Sequence, residues 1–166
     1  MAKIQKITPC LWFDTQAEEA VDFYCAIFKN SKIIQLFRYG AANHDVHQGR
    51  AGSVMTIEFE LDGQRFTALN GGPEFTFSEA ISFEVACETQ AEIDYYWEKL
   101  TQGGQQGPCG WLKDKYGLSW QIVPTVLGEM LRIPDQEAIE RVTNAFLQMK
   151  KLDIAALDQA FSGKQT

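Results

Sequence analysis

Thr15-Gln16-Ala17-Glu18 returns unchanged as Thr89-Gln90-Ala91-Glu92. Each copy follows an apolar, strand-like run, Ile7 to Phe13 in one case and Ile81 to Cys87 in the other. Each copy also precedes a helical pattern. Thr-x-x-Glu is a capping box, in which the threonine hydroxyl accepts from the N3 amide and the glutamate reaches back to the N-cap amide. The first helix is predicted to carry Ala20, Val21, Tyr24, Cys25 and Phe28 on one face and to stop near Asn30. The second carries Ile93, Tyr96, Trp97 and Leu100, and Gly103-Gly104 ends it. These aromatic stripes read as core.

Working outward, the order of elements repeats along with the four residues. After the first helix come strand-like runs at Lys32 to Tyr39, Ser53 to Leu61 and Gln64 to Leu69, the last two joined by an Asp62-Gly63 hairpin turn. After the second come Gln105 to Pro108, Trp111 to Lys113, a Lys115-Tyr116-Gly117 turn and Leu118 to Pro124. Both halves read β-α-β-β-β, the second abbreviated. The fold class is therefore α+β, with paired βαβββ modules at about 4–72 and 79–124 in a single 1–166 domain. No linker rich in Pro, Ser or charge separates them, so a shared core is expected. From Thr125 the chain reads as a helical extension over 125–163. Ile139, Val142, Phe146 and Met149 form one stripe behind a Pro134-Asp135 start, and Asp153 caps a last helix through Ile154, Leu157 and Phe161 that Gly163 ends. The stripe is expected to pack on the outside of a sheet or on a second subunit.

Strand alternation sorts side chains into two faces. Ile81, Phe83, Val85 and Cys87 oppose Ala80, Ser82, Glu84 and Ala86. Met55, Ile57, Phe59 and Leu61 oppose Val54, Thr56, Glu58 and Glu60, and Leu118, Trp120 and Ile122 oppose Ser119, Gln121 and Val123. Helices should cover the apolar faces, leaving the mixed faces to solvent or to a pocket. Candidate ligand-binding residues are Trp12, Phe13, Ser82, Trp111, Ser119 and Gln121. Glu58 and Glu84 are candidates for proton transfer, provided that both face the pocket and one is desolvated.

The 166-residue chain is 45% hydrophobic with a formal charge of −7. Phosphate-backbone binding needs clustered Lys and Arg, so a nucleic-acid partner is not expected. No run is long or apolar enough to span a bilayer, and residues 1–13 lack the pattern of a secretory signal. Cys10, Cys25, Cys87 and Cys109 are widely spaced without a C-x-x-C pair, which reads as free thiols in a reducing cytoplasm. His44 and His47, with Asp45 between them, sit in a loop without periodicity and read as solvated rather than as a metal pair.

Residues 111–124, Trp-Leu-Lys-Asp-Lys-Tyr-Gly-Leu-Ser-Trp-Gln-Ile-Val-Pro, resemble the closing hairpin of the PhnB-like, 3-demethylubiquinone-9 3-methyltransferase-like family. That family is a branch of the glyoxalase/bleomycin-resistance (vicinal oxygen chelate) superfamily. Ile7 to Phe13 leading to Ala20-Val21-Asp22-Phe23-Tyr24 resembles its first strand and helix, and Asn70 to Pro73, Ala80 to Phe83 and Met149 to Leu157 match as well. The resemblance implies paired βαβββ modules, commonly assembled as a homodimer. It also places four metal-ligand positions here, at Thr8 or Pro9, near Thr67 or Ala68, at Ala80 and at Gln121. None is an imidazole or carboxylate, the donors such sites need. No metal and no cofactor is therefore expected. Methyl transfer from S-adenosylmethionine usually uses a Gly-rich strand-to-helix turn, and Gly71-Gly72-Pro73 ends a hairpin instead, so the methyltransferase label is not adopted.

Three function classes stay open. The first, preferred, is a metal-independent small-molecule-binding protein with a pocket formed by the two modules. The second is an enzyme with lyase, isomerase or dioxygenase-like chemistry at a divergent or metal-free site. The third is an assembly whose dimer surface is the functional part.

Overall fold

The structure, a computed structural model, describes residues 5–40 and 50–163. His44, Asp45 and His47 lie outside the described residues. The chain divides into two compact units, 1–76 and 77–166.

The first unit runs β1 (Cys10–Phe13), α1 (Ala17–Ile27), β2 (Lys32–Arg38), β3 (Val54–Leu61) and β4 (Gln64–Asn70). Its sheet has the order β1-β4-β3-β2, with β1 and β4 parallel and the other pairs antiparallel. Asp62 and Gly63 both take positive φ, 45° and 82°, which matches the twist that a two-residue hairpin loop requires. Helix α1 buries Ala20, Val21 and Tyr24 against β3 and β4. Leu11, Phe13, Ile57 and Phe59 meet them from the covered side of the sheet. Full burial of a side chain such as Phe59 stabilises by roughly 1.5–3 kcal/mol, so this layer outweighs the surface ion pairs. The opening strand is shorter than the apolar run predicts: Ile7 is exposed, and pairing begins where the Pro9 carbonyl accepts from the Thr67 amide at 2.9 Å.

The second unit repeats the plan with β5 (Phe83–Cys87), α2 (Gln90–Thr101), β6 (Gln105–Gln106), β7 (Trp111–Lys113) and β8 (Ser119–Pro124). Its sheet order is β5-β8-β7-β6, the same arrangement as in the first unit. Ile93, Trp97 and Leu100 of α2 are buried, as are Leu112, Trp120 and Ile122 of the sheet. Ile81 is exposed and precedes β5, so this strand is also shorter than its apolar run. The β7–β8 turn is organised by Asp114. Its Oδ1 accepts from the Tyr116 and Leu118 amides at 2.8 and 3.1 Å, and its Oδ2 accepts from the Trp120 indole at 2.9 Å.

The two Thr-Gln-Ala-Glu copies are used differently, which corrects the expectation of two capping boxes. Thr89 accepts from the Glu92 amide, and the Glu92 carboxylate accepts from the Thr89 amide, so the second box forms. In the first copy α1 starts one residue later, its N-cap is Gln16, and no side chain of the copy caps it. The Ala17 amide is instead satisfied by Asn70 Oδ1 at 2.8 Å. A cap supplied by β4 has taken over the role of Thr15.

The C-terminal extension forms α3 (Thr125–Met130), α4 (Gln136–Leu147) and α5 (Ile154–Ser162). Asp135 and Asp153 cap α4 and α5 by accepting from the Ala138 and Ala156 amides, and Gly163 ends α5 at φ 68°. The α4 stripe, expected on the outside of a sheet or on a second subunit, packs within the chain largely against the other helices of the extension. Val142 packs with Leu127, Met130, Leu152 and Leu157, giving the extension a core of its own, with Val123 of β8 at its margin. Three helices in series supply enough apolar faces to cover one another. Gln90 fastens the extension to α2, donating to the Leu152 carbonyl at 3.2 Å and accepting from the Ile154 amide at 2.9 Å. The Cys109 and Gly110 amides donate to the Met149 and Lys150 carbonyls at 2.7 Å each.

Candidate functional site

On the second sheet, Lys113 lies opposite Gln105 on one side and Ser119 on the other. Paired residues share a face, so Gln105, Lys113 and Ser119 form one row across three strands. Two residues along, Trp111 lies opposite Gln121, which lies opposite Glu84. The opposite face carries Leu112 and Trp120, both buried. The row borders a cavity of about 390 Å³ whose walls include Trp111, Pro108, Lys113, Ser119 and Glu79. That volume falls within the range of small-molecule sites.

Two features define its chemistry. Ser119 is 1% exposed, yet its Oγ has no hydrogen-bond partner. A buried hydroxyl without a partner is costly, and this one belongs to a residue of the cavity wall. Lys113 Nζ lies 2.6 Å from Glu79 Oε1, with the Glu79 side chain 65% exposed. The hydrogen bond from Lys113 holds the Glu79 carboxyl below its ordinary range, assisted by a backbone hydrogen bond and by the ammonium charge.

Of the residues expected from sequence, Trp111 and Ser119 line this cavity together. Gln121 and Ser82 are bound to each other nearby on the same face, Gln121 Nε2 donating to Ser82 Oγ at 2.9 Å. Glu84 is an exposed residue of this face. Trp12, Phe13 and Glu58 belong to the first unit. Phe13 is buried in its core, and Glu58 is exposed on β3. The Trp12 indole donates to the Gly72 carbonyl at 2.8 Å and meets Phe75 edge-on at 5.0 Å. A Cβ on Gly71 would lie 2.2 Å from the Trp12 ring, so glycine is needed there for the indole to pack. Lys113, Gln105 and Glu79 were missed by the sequence reading. Lys113 was accessible in principle, since Trp111-Leu112-Lys113 alternates and sets it on the Trp111 face. Glu79 lies outside any regular element and leaves no such signal.

A second cavity, of about 330 Å³, lies in the first unit beside Thr15, Glu18, Arg38, Arg50 and Asn70. Its guanidinium groups are already engaged: Arg38 donates to the Gly52 carbonyl and Arg50 to the Asn70 carbonyl, each at 3.1 Å. Among the described residues, no three His, Cys, Asp or Glu side chains gather to hold a metal ion. Thr8, Pro9, Thr67, Ala68, Ala80 and Gln121, where the resemblance puts metal ligands, carry no imidazole, thiolate or carboxylate, so this donor set does not fit a divalent metal. No helix among the described residues is long and apolar enough to cross a membrane.

The family model described as 3-demethylubiquinone-9 3-methyltransferase matches residues 5–123. It stops one residue before the end of β8, leaving α3 to α5 outside the match. A Bacillus cereus protein described as "Putative 3-demethylubiquinone-9 3-methyltransferase, PhnB protein" shares 38% identity at a TM-score of 0.63, covering 73% of this chain and 100% of its own. A Pseudomonas aeruginosa protein shares 16% identity at a TM-score of 0.60, covering 73% of this chain and 98% of its own. The fosfomycin resistance protein FosX of Listeria monocytogenes shares 14% identity at a TM-score of 0.50, covering 76% and 98%. The latter two likenesses concern the fold alone. No curated protein matches the sequence.

Proposed function

We propose that this chain, which belongs to the 3-demethylubiquinone-9 3-methyltransferase family, is a metal-independent small-molecule-binding protein whose ligand occupies the cavity on the second sheet. The observation that carries the reading is the Ser119 hydroxyl, buried and without a partner on the wall of that cavity. Trp111 supplies apolar area, and Gln121 with Ser82 supplies a fixed polar pair beside it. The family description names a methyl transfer. We leave it aside, because Gly71-Gly72 follows β4, is packed against the Trp12 indole and does not open a helix as a cofactor-phosphate or methionine-binding turn would.

An enzyme reading would rest on Glu84, which shares the face of Gln121. Its exposure argues against it, since a general base at a carboxylate usually needs partial desolvation. The homodimer implied by the resemblance remains part of the proposal. The exposed Ile33 and Phe37 of the edge strand β2 offer apolar surface for it, and light scattering tests it. The four free thiols suit a reducing compartment.

A thermal-shift screen of small metabolites tests the binding reading, because a ligand of the folded state raises the midpoint. Hits are expected to lose their shift in Trp111→Ala. Stoichiometric metal in protein purified without chelator, or hits that survive Trp111→Ala unchanged, would overturn it.

A further inference from the structure

We infer that the cavity on the second sheet takes a small organic carboxylate, held by the Lys113 ammonium, the Ser119 hydroxyl and the Gln105 amide, and that Glu79 is the internal carboxylate it displaces. The inference rests on the binding-protein reading and names the ligand class.

The geometry argues for an anion in three steps. Gln105, Lys113 and Ser119 are register partners on adjacent strands, so three hydrogen-bond donors stand side by side. Only one of them, Lys113, is matched by an acceptor, and that acceptor is a carboxylate at 2.6 Å. Ser119 keeps its hydroxyl unpaired although it is almost fully buried. A ligand carboxylate has two oxygens and can satisfy the ammonium with one and the hydroxyl with the other, which Glu79 does not do here.

The two partners of the ion pair differ in how they are held. Lys113 is anchored in β7 between two strands. Glu79 lies outside any helix or strand, with 65% of its side chain exposed. An exposed ion pair contributes little stability, so releasing Glu79 to water costs little. The loop carboxylate therefore marks where a ligand carboxylate sits without blocking it. Next along the same face, Trp111 and Pro108 give the wall an apolar stretch for the ligand's body. The expected ligand is thus a compact molecule with one carboxylate and an adjoining flat or aliphatic part.

The test uses matched probes on the full chain: benzoate, phenylacetate and 3-phenylpropionate, each against its primary amide. Binding is read by NMR titration at the Trp111 indole and the Lys113 and Ser119 amides. Acids are expected to bind about tenfold tighter than amides, the scale of one charge-assisted hydrogen bond. Lys113→Met should bring the ratio to about one, and Ser119→Ala should weaken the acids about threefold to tenfold. Glu79→Gln should strengthen them, since the competing carboxylate is gone. Ser119→Ala removes only an unpaired oxygen, so it keeps the test valid should Lys113→Met disturb the sheet. Acids and amides binding equally at these signals would overturn the carboxylate inference and leave the binding reading standing. Titrations in which neither class moves these signals would overturn both.

Discussion

Asn70 Oδ1 accepts the Ala17 amide at 2.8 Å, so the last residue of β4 caps the helix that begins in the first turn of the chain's fold. Its Nδ2 donates to the Val54 carbonyl at 3.1 Å, and its own carbonyl accepts from the Tyr39 hydroxyl at 2.6 Å. One buried side chain thus ties α1 to β3 and β4 together. In the second unit the equivalent work is local, done by Thr89 and Glu92.

Replacing Asn70 by alanine leaves the Ala17 N–H and the Val54 C=O without their partners in a buried place. The expected loss is about 2–6 kcal/mol, taking about 1–3 kcal/mol for each of the two unsatisfied groups. Thr89→Ala should cost about 1 kcal/mol as an ordinary cap. Thr15→Ala should change stability by less than about 0.5 kcal/mol, the range of substitutions that remove no such feature. Urea unfolding of the three variants checks the order; a Thr15→Ala loss equal to that of Thr89→Ala would show that Thr15 caps α1 after all.

Asp114 accepts from the Tyr116 and Leu118 amides and from the Trp120 indole, so both of its oxygens are engaged. Asparagine cannot replace it, because its amide nitrogen would face either two backbone N–H groups or the Trp120 indole N–H. Asp114→Asn should therefore destabilise almost as much as Asp114→Ala, by about 2–4 kcal/mol. The near-ultraviolet circular dichroism of Trp120 should change in both. Retention of full stability in Asp114→Asn would contradict the donor count.

Burial pushes the Cys87 thiol up to about 12, with the Glu92 charge adding to it. At pH 8 its thiolate fraction is then on the order of one in ten thousand, and the thiolate is the species that reacts. Iodoacetamide should label Cys87 only as fast as the second unit opens, and mass spectrometry of the four cysteine peptides reads this directly. Burial also raises the Cys10 and Cys25 thiols, so brisk labelling of either at neutral pH is not expected.

The Asp94 carboxyl lies below its ordinary range because Lys151 and Gln90 donate to it. A lowered folded pKa contributes stability above the unfolded value, near 3.9, and that contribution is lost as pH falls through the folded value. Asp94→Asn should therefore lower the melting temperature slightly at neutral pH and by a shrinking amount below about pH 4. The pair is exposed, so the effect is small and should fade with added salt. A difference that grows on acidification would have the wrong sign for this linkage.

Much of the architecture is legible in short windows of sequence. The hairpin at Asp62-Gly63, the helix start at Pro134-Asp135, the cap at Asp153 and the stop at Gly163 each follow from local turn and cap chemistry, and all form as expected. The alternation of β8 also sets Ser119 and Gln121 on one face and Trp120 and Ile122 on the other. The site is less legible. Alternation offers Trp111 and Ser119 but is silent on Glu79, which reaches Lys113 from outside the regular elements.

The repeated Thr-Gln-Ala-Glu shows where the boundary falls. The sequence by itself determined that two like modules follow one another, because helix period, strand alternation and turn residues act over a few positions and depend little on the rest of the chain. Only the tertiary structure decided that one copy caps its helix and the other yields to Asn70, 53 residues away. The same holds for the Ser119 hydroxyl, which packing buries while leaving it without a partner. Hydrogen bonds between distant residues depend on where the folded backbone brings them, and no local spacing encodes that.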